Sequence, residues 1–172
     1  MSINRRPNSN EYNPYYETYI GKVKGNNFIQ NLQDQKFETL AILSKLSDEK
    51  WNHKYAPEKW TVKEVMIHII DTERIFAYRA LRIARNDQTP LAGFEQNDYV
   101  PFCNGSQRSG KSIMVEYEAV RNSTTALFEN LSEDDWGRIG EASGSPVSVL
   151  ALGYMIAGHE IHHVELLHER YF

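Results

Sequence analysis

Residues 59–87, KWTVKEVMIHIIDTERIFAYRALRIARND, constrain the fold more than any other stretch. Thr61 and Glu64 stand three apart ahead of an apolar run. That is the spacing of a capping box, in which each side chain satisfies an orphan backbone N–H at a helix start. Trp60 is placed to staple against Val65. Val65, Ile69, Thr72, Ile75, Phe76 and Ile83 then fall on one face, while Lys63, Glu64, Arg74, Arg82 and Arg85 fall largely outside it. A helix running to about Arg85 with one buried face is expected.

Three further segments carry the same period. From about Asn26 to Leu46, with Asn26 or Asn27 as N-cap, Phe37, Leu40 and Leu43 recur at near-turn spacing. From about Lys111 to Leu131, Met114, Tyr117, Val120, Thr124, Leu127 and Leu131 step by three or four. A last helix is expected to open with Ser145 as N-cap and Pro146 at its first position and to run almost to the end. No segment alternates as a strand would, so the expected fold is all-α, a four-helix bundle. Residues 1–25, polar and broken by Pro7, Pro14, Gly21 and Gly25, read as an irregular N-terminal arm packed on the surface, with at most a short helix around Tyr15 to Val23. Residues 26–172 read as the bundle. The long connection NDQTPLAGFEQNDYVPFCNGSQRSG between helices two and three is a natural wall for a site. LSDEKW (46–51) and LSEDDW (131–136) echo one another, each ahead of a histidine-bearing helix. This suggests two similar helical hairpins related by a pseudo-twofold axis.

At 172 residues the chain suits one domain with a substantial core. A formal net charge of −4 provides no basic stripe for a phosphate backbone, so no nucleic-acid partner is expected. No stretch is apolar enough for a membrane span, and the start, MSINRRPNSNEYNPYY, lacks the apolar core of a signal peptide, so a cytoplasmic location is expected. The single cysteine, Cys103, rules out an internal disulfide and reads as a bystander thiol.

Four of the six histidines lie in the last sixteen residues, AGHEIHHVELLHERYF. At about 100° per residue, His159 and His163 share a helix face with Val149, Leu152, Ile156 and Leu166. His162 points elsewhere, His168 lies near a terminus, and His53 sits in a loop, so these three read as flank or surface residues. His68 shares the stripe of Val65, Thr72 and Ile75. Three neutral imidazoles buried without partners would each cost about 1–3 kcal/mol. A divalent cation removes that cost and would retain open positions for chemistry. Hydrogen-bonded core histidines without metal are the alternative.

With these residues located, the chain resembles the DinB/YfiT-like superfamily of metal-binding four-helix bundles. The likeness lies in EKWTVKEVMIHIIDTERIFAYRALRIARND, PLAGFEQNDYV and GHEIHHVELLHERY, and it covers the chain from about residue 30. The resemblance implies metal ligation by His68, His159 and His163, a divalent ion such as zinc or nickel, and a homodimer. It also implies kinship with bacillithiol and mycothiol S-transferases and with mycothiol-dependent maleylpyruvate isomerase. The expected activity is therefore metal-dependent transfer of a low-molecular-weight thiol to an electrophilic substrate, or hydrolysis of a small molecule. The alternative is a non-catalytic metal-binding bundle, stress-related or acting as a dimeric binding module. Hydrolysis calls for a general base near the metal, and no acidic residue occupies a seam position suited to it. Asp71 and Glu160 read as flank residues, Asp71 with the option of orienting an imidazole. Arg79 reads as snorkelling to solvent, with the option of meeting a ligand carboxylate. Tyr99 and Phe102 are placed to line the mouth.

Overall fold

The structure, a computed structural model, describes residues 5–172; the first four residues of the arm lie outside the described residues. After a single 3₁₀ turn at Pro14–Tyr16, the helices are α1 (Glu17–Ile20), α2 (Phe28–Leu43), α3 (Asp48–Trp51), α4 (Val62–Ala84), α5 (Gln96–Tyr99), α6 (Gly110–Glu129), α7 (Glu133–Gly137) and α8 (Val149–Arg170). Two short strands, β1 (Ile139–Ala142) and β2 (Ser145–Ser148), form an antiparallel hairpin ahead of α8. The long helices α2, α4, α6 and α8 make the expected four-helix bundle. The starts of α4 and α2 were legible from their caps. Thr61 and Glu64 close a reciprocal capping box on α4, and the Asn27 side chain accepts from the Gln30 N–H at the start of α2.

α8 packs on α4 and α2, and α6 packs on the same two helices, so the order around the bundle is α2–α6–α4–α8. Consecutive helices α2 and α4 thus stand diagonally, as do α6 and α8, and the two expected hairpins do not form. The sequence echo marks something else: the two crossings of the bundle end. Ser47 caps α3 and Ser132 caps α7, and each short helix turns a buried tryptophan, Trp51 or Trp136, into the core. Each connection must then span the width of the bundle.

The hairpin is the second departure from expectation. Residues 145–148, read as a helix start, are strand β2, and Ser148 caps α8 instead, accepting from the Ala151 N–H. Ser143 and Gly144 at its tip have positive φ, 54° and 72°, as a two-residue hairpin turn of the right twist requires. Four-residue strands are too short to display a period of two, which is why the pattern was silent.

The stripes of α4 and α8 are buried as expected, with His68, Ile75, His163 and Leu166 only half-buried. On α2, by contrast, Phe37 is exposed while Phe28, Leu32, Thr39 and Leu43 face inward. On α6 the inward face is Ile113, Tyr117, Arg121, Thr124 and Phe128, rotated slightly from the expected stripe. The core falls into two apolar clusters. One holds Phe28, Leu32, Phe76, Phe128, Trp136 and Tyr154, the other Leu43, Trp51, Val65, Ile113 and Leu167. On every long helix the residues between the clusters include polar ones: Thr39, Glu73, Arg121 and Glu160 in one group, and the histidines of α4 and α8 in another.

Candidate metal centre

The first polar group is fully satisfied internally. The Arg121 guanidinium, with no exposed surface, donates to Glu73 from Nη2 at 2.7 Å and from Nε at 3.0 Å, and it also reaches Glu160. Glu160 Oε1 accepts from Thr39 Oγ1 and from the Tyr117 hydroxyl, both at 2.6 Å. Buried charges persist when paired and hydrogen-bonded in this way. This corrects the sequence reading of Glu160 as a flank residue: it is 1% exposed and ties α8 to α2 and α6. The signal was available in the three- and four-residue steps of Tyr117, Arg121, Thr124 and Phe128, which place a guanidinium on a buried face.

The second group is the histidine cluster. His68 comes from α4, and His159 and His163 come from successive turns of α8. Their ligand-capable nitrogens all lie within 4.8 Å of one another. Nε2 of His159 stands 3.0 Å from Nε2 of His68 and 3.1 Å from Nε2 of His163. The three residues singled out from helical phase therefore converge. His162 is half-buried to one side, and His168 and His53 are exposed.

Hydrogen bonding within the cluster cannot account for this arrangement. A neutral imidazole nitrogen carries either one proton or one in-plane lone pair, so Nε2 of His159 can serve one of its two close neighbours well and not both. Nδ1 of His163 is buried with no partner among the described residues, and Nδ1 of His68 has only Thr72 Oγ1 at 3.5 Å. Three lone pairs aimed at one cation resolve the conflict. Nitrogens held about 2.0–2.1 Å from a Zn²⁺ ion stand about 3.3 Å apart at tetrahedral angles and about 3.0 Å apart at right angles, so the spacings of His68 and His163 from His159, 3.0 and 3.1 Å, suit neighbouring positions of a coordination sphere. Burial supplies the right protonation state: it lowers the pKa of His68 to about 4 and that of His163 to about 3, and holds His159 well below the usual imidazole value. Neutral rings are what metal binding needs.

The cluster opens into a cavity of about 160 Å³ walled by Tyr16, Tyr19, Trp60, Phe76 and Phe94, with Gln96 and Ser143 among its polar lining. The Tyr19 ring stands edge-on to His159 at 5.3 Å, and Trp60 lies 5.1 Å from His68. Tyr16 and Tyr19 belong to the N-terminal arm and were missed in the sequence, where only the density of aromatics in NPYYETYI hinted at a role. Gly158 explains their placement, because a Cβ there would run into the Tyr19 backbone oxygen. The arm therefore lies directly on α8.

Of the other residues considered from sequence, Asp71 is half-buried beside Arg74 at 3.7 Å and makes no hydrogen bond to an imidazole; burial raises its pKa. With His68, Thr72, Tyr99 and Cys103 it lines a narrow crevice next to the cavity. Burial also raises the Cys103 pKa, away from thiolate character. Phe102 is 82% exposed and lines neither space, which corrects its placement at the mouth. Arg79 does not snorkel: it is 3% exposed. Among the described residues no helix is long and apolar enough to cross a membrane.

Comparison with known proteins agrees with this architecture. YfiT from Bacillus subtilis, described as a probable metal-dependent hydrolase with an unusual four-helix bundle topology, superposes with a TM-score of 0.74 at 14% identity, over 96% of this chain and 93% of that one. A mycothiol-dependent maleylpyruvate isomerase superposes with a TM-score of 0.66 at 17% identity, over 81% of this chain and 59% of its own. The uncharacterized protein YuaE of Bacillus subtilis (strain 168) is 27% identical over 120 residues, 62% of this chain and 73% of YuaE. The DinB superfamily model matches residues 31–167, from within α2 almost to the end of α8, and the chain belongs to that superfamily.

Proposed function

We propose that His68, His159 and His163 hold one divalent cation and that the cavity beside them binds a low-molecular-weight thiol and an electrophilic substrate for thiol transfer. The observation that carries this reading is the approach of three neutral Nε2 atoms, from two helices, to 3.0 and 3.1 Å at the wall of a cavity. A cation bound there supplies Lewis acidity, lowering the pKa of a thiol or water brought to its open side.

The rest of the chemistry belongs to side chains of this chain. Tyr16, Tyr19, Trp60 and Phe76 exclude bulk water from the histidines and offer apolar faces to an organic substrate. Among the described residues no carboxylate lines the cavity, and burial raises the pKa of both Tyr16 and Tyr19, so neither phenol is poised as a base. Hydrolysis wants a general base at the attacking water, whereas a thiol already ionised needs none. The balance favours sulfur as nucleophile: a carbon–sulfur bond forms, the leaving group departs with its electron pair, and the thiol proton passes to solvent. Hydrolysis is the second reading, supported by the likeness to YfiT over nearly the whole chain.

The test is to assay metal-loaded protein for S-conjugation of a chlorinated bimane with a panel of low-molecular-weight thiols, with esters and amides in parallel and His68→Ala as control. Thiol-dependent conjugation that is lost in the variant is expected. Ester or amide turnover without conjugation would replace transfer by hydrolysis, and no turnover on either panel would favour a non-catalytic binding protein.

A further inference from the structure

Aromatic side chains are not spread evenly over the cavities of this bundle. The groove between α2 and α8, about 210 Å³, is walled by Ile42, Ile161 and Val164 and holds no ring but that of His168. The cavity beside the three histidines, about 160 Å³, is the reverse. Nine of its twelve lining side chains are rings, six of them Tyr, Phe or Trp, and among the described residues no Ala, Val, Leu, Ile or Met lines it. The two core clusters are built mainly of those aliphatic residues, so burial alone does not call for such a wall.

The rings are also ordered relative to one another. Tyr15 and Tyr16 stand 5.3 Å apart at 79°, Tyr16 and Phe76 6.1 Å apart at 83°, and Tyr19 stands at 80° to His159. Each pair sets an edge against a face, as the ring quadrupole favours, and successive rings near right angles give the wall both faces and edges to offer a guest. Arg79 braces this wall from outside the cavity. Its Nη2 donates to the Ala92 carbonyl at 2.7 Å and to Ser143 Oγ at 3.1 Å, and its Cζ lies 5.7 Å from the Phe76 ring and 5.7 Å from the Phe94 ring. It thereby ties the 91–94 loop and the hairpin tip to α4 and fixes the two phenyl rings, which lowers the ordering cost of binding. No lining side chain carries a charge while the histidines are neutral, so recognition falls to ring faces, ring edges and neutral polar groups.

We propose that this cavity selects an aromatic ring, and that the ring belongs to the electrophile, lying against Tyr16, Trp60 and Phe76 with its reacting carbon toward the histidines. The second half of that statement rests on the function proposed above; ring selection does not. The volume suits a single ring, since an apolar cavity of about 150 Å³ takes up one benzene molecule. A carbon next to an aryl group is also activated toward displacement, because the ring spreads the charge that develops there.

The test is calorimetric titration of benzyl alcohol and of cyclohexylmethanol into chelated protein, so that no cation takes part. The saturated ring has the larger apolar surface, and burial alone would favour it. Wild type is expected to favour benzyl alcohol by about tenfold, the gain of one or two edge-to-face contacts. Equal affinities, or a preference for the saturated ring, would overturn the proposal. The indole N–H resonance of Trp60 should shift as benzyl alcohol is added, which locates the ring with no variant; an unmoved resonance would place the ring elsewhere and overturn it. Tyr16→Leu combined with Trp60→Leu keeps apolar bulk, and the preference should fall to about twofold or less; full preference in that variant, folded by circular dichroism, would also overturn it. In metal-loaded protein benzyl alcohol should inhibit conjugation competitively against the chlorinated bimane and not against the thiol. Competition with the thiol instead would overturn the assignment of the ring to the electrophile. Ring preference in protein that conjugates nothing would uphold ring selection and remove the thiol-transfer reading, whereas conjugation without ring preference would do the opposite.

Discussion

At the scale of single residues, the deciding contrast is between buried polar groups that find partners within the chain and those that do not. Arg121, Glu73, Glu160, Thr39 and Tyr117 satisfy one another. Arg121→Met would strand two buried carboxylates, and a loss of about 3–5 kcal/mol in denaturant unfolding is expected. The histidines are the unsatisfied group, and in chelated protein they make stability depend on pH. His68 and His163 have folded pKa values of about 4 and about 3 against 6.5 when unfolded, so the unfolded chain binds more protons between those limits. Their contribution is intact above pH 6.5 and is lost as pH falls through that window. The melting temperature of the chelated protein should therefore drop on acidification from pH 6.5 toward 4, and a chelated triple His→Ala variant should lose most of that slope. The three histidines were legible in the sequence because helical phase alone puts them on apolar faces. Glu160 was not, because its burial depends on a partner 39 positions away.

At the scale of elements, the caps of α2 and α4 were readable, whereas the α8 cap, Ser148 in place of the expected Ser145, and the packing partners were not. Thr61 and Glu64 announce α4, and Thr61→Ala is expected to cost about 1 kcal/mol in denaturant unfolding without altering metal content. The hairpin before α8 left no trace in a pattern search, and its turn shows only as Ser143–Gly144. The arm was read as a surface segment, yet Tyr12, Ile20 and Val23 are buried in the same cluster as Phe28 and Tyr154. Its dependence on Gly158 can be measured. In Gly158→Ala, a Cβ meeting the Tyr19 backbone should displace α1 at a cost of about 1–3 kcal/mol. Amide exchange should quicken over residues 15–23 while the centre of α4 stays protected; unchanged exchange in the arm would contradict the close contact.

At the scale of the whole molecule, helical periodicity was enough to give four long helices and the inward faces of α4 and α8, but not the full inward faces of α2 and α6 or which helices touch. Sequence order suggested packed neighbours in α2 and α4, whereas the crossings through α3 and α7 set them on a diagonal, an arrangement decided by contacts that no local pattern encodes. That arrangement places α4 directly against α8, and so brings one histidine from the first half of the chain to two from the second. If a cation sits at that junction, it links two long helices and should stabilise the native state by mass action, by about 2.7 kcal/mol at a free concentration one hundred times its dissociation constant. The most direct measurement is the metal content of purified wild type, His68→Ala and His159→Ala by elemental analysis, with folding of each variant checked by circular dichroism. We expect close to one divalent ion per chain in wild type and loss of most of it in both folded variants; full occupancy retained in both would contradict the three-histidine site.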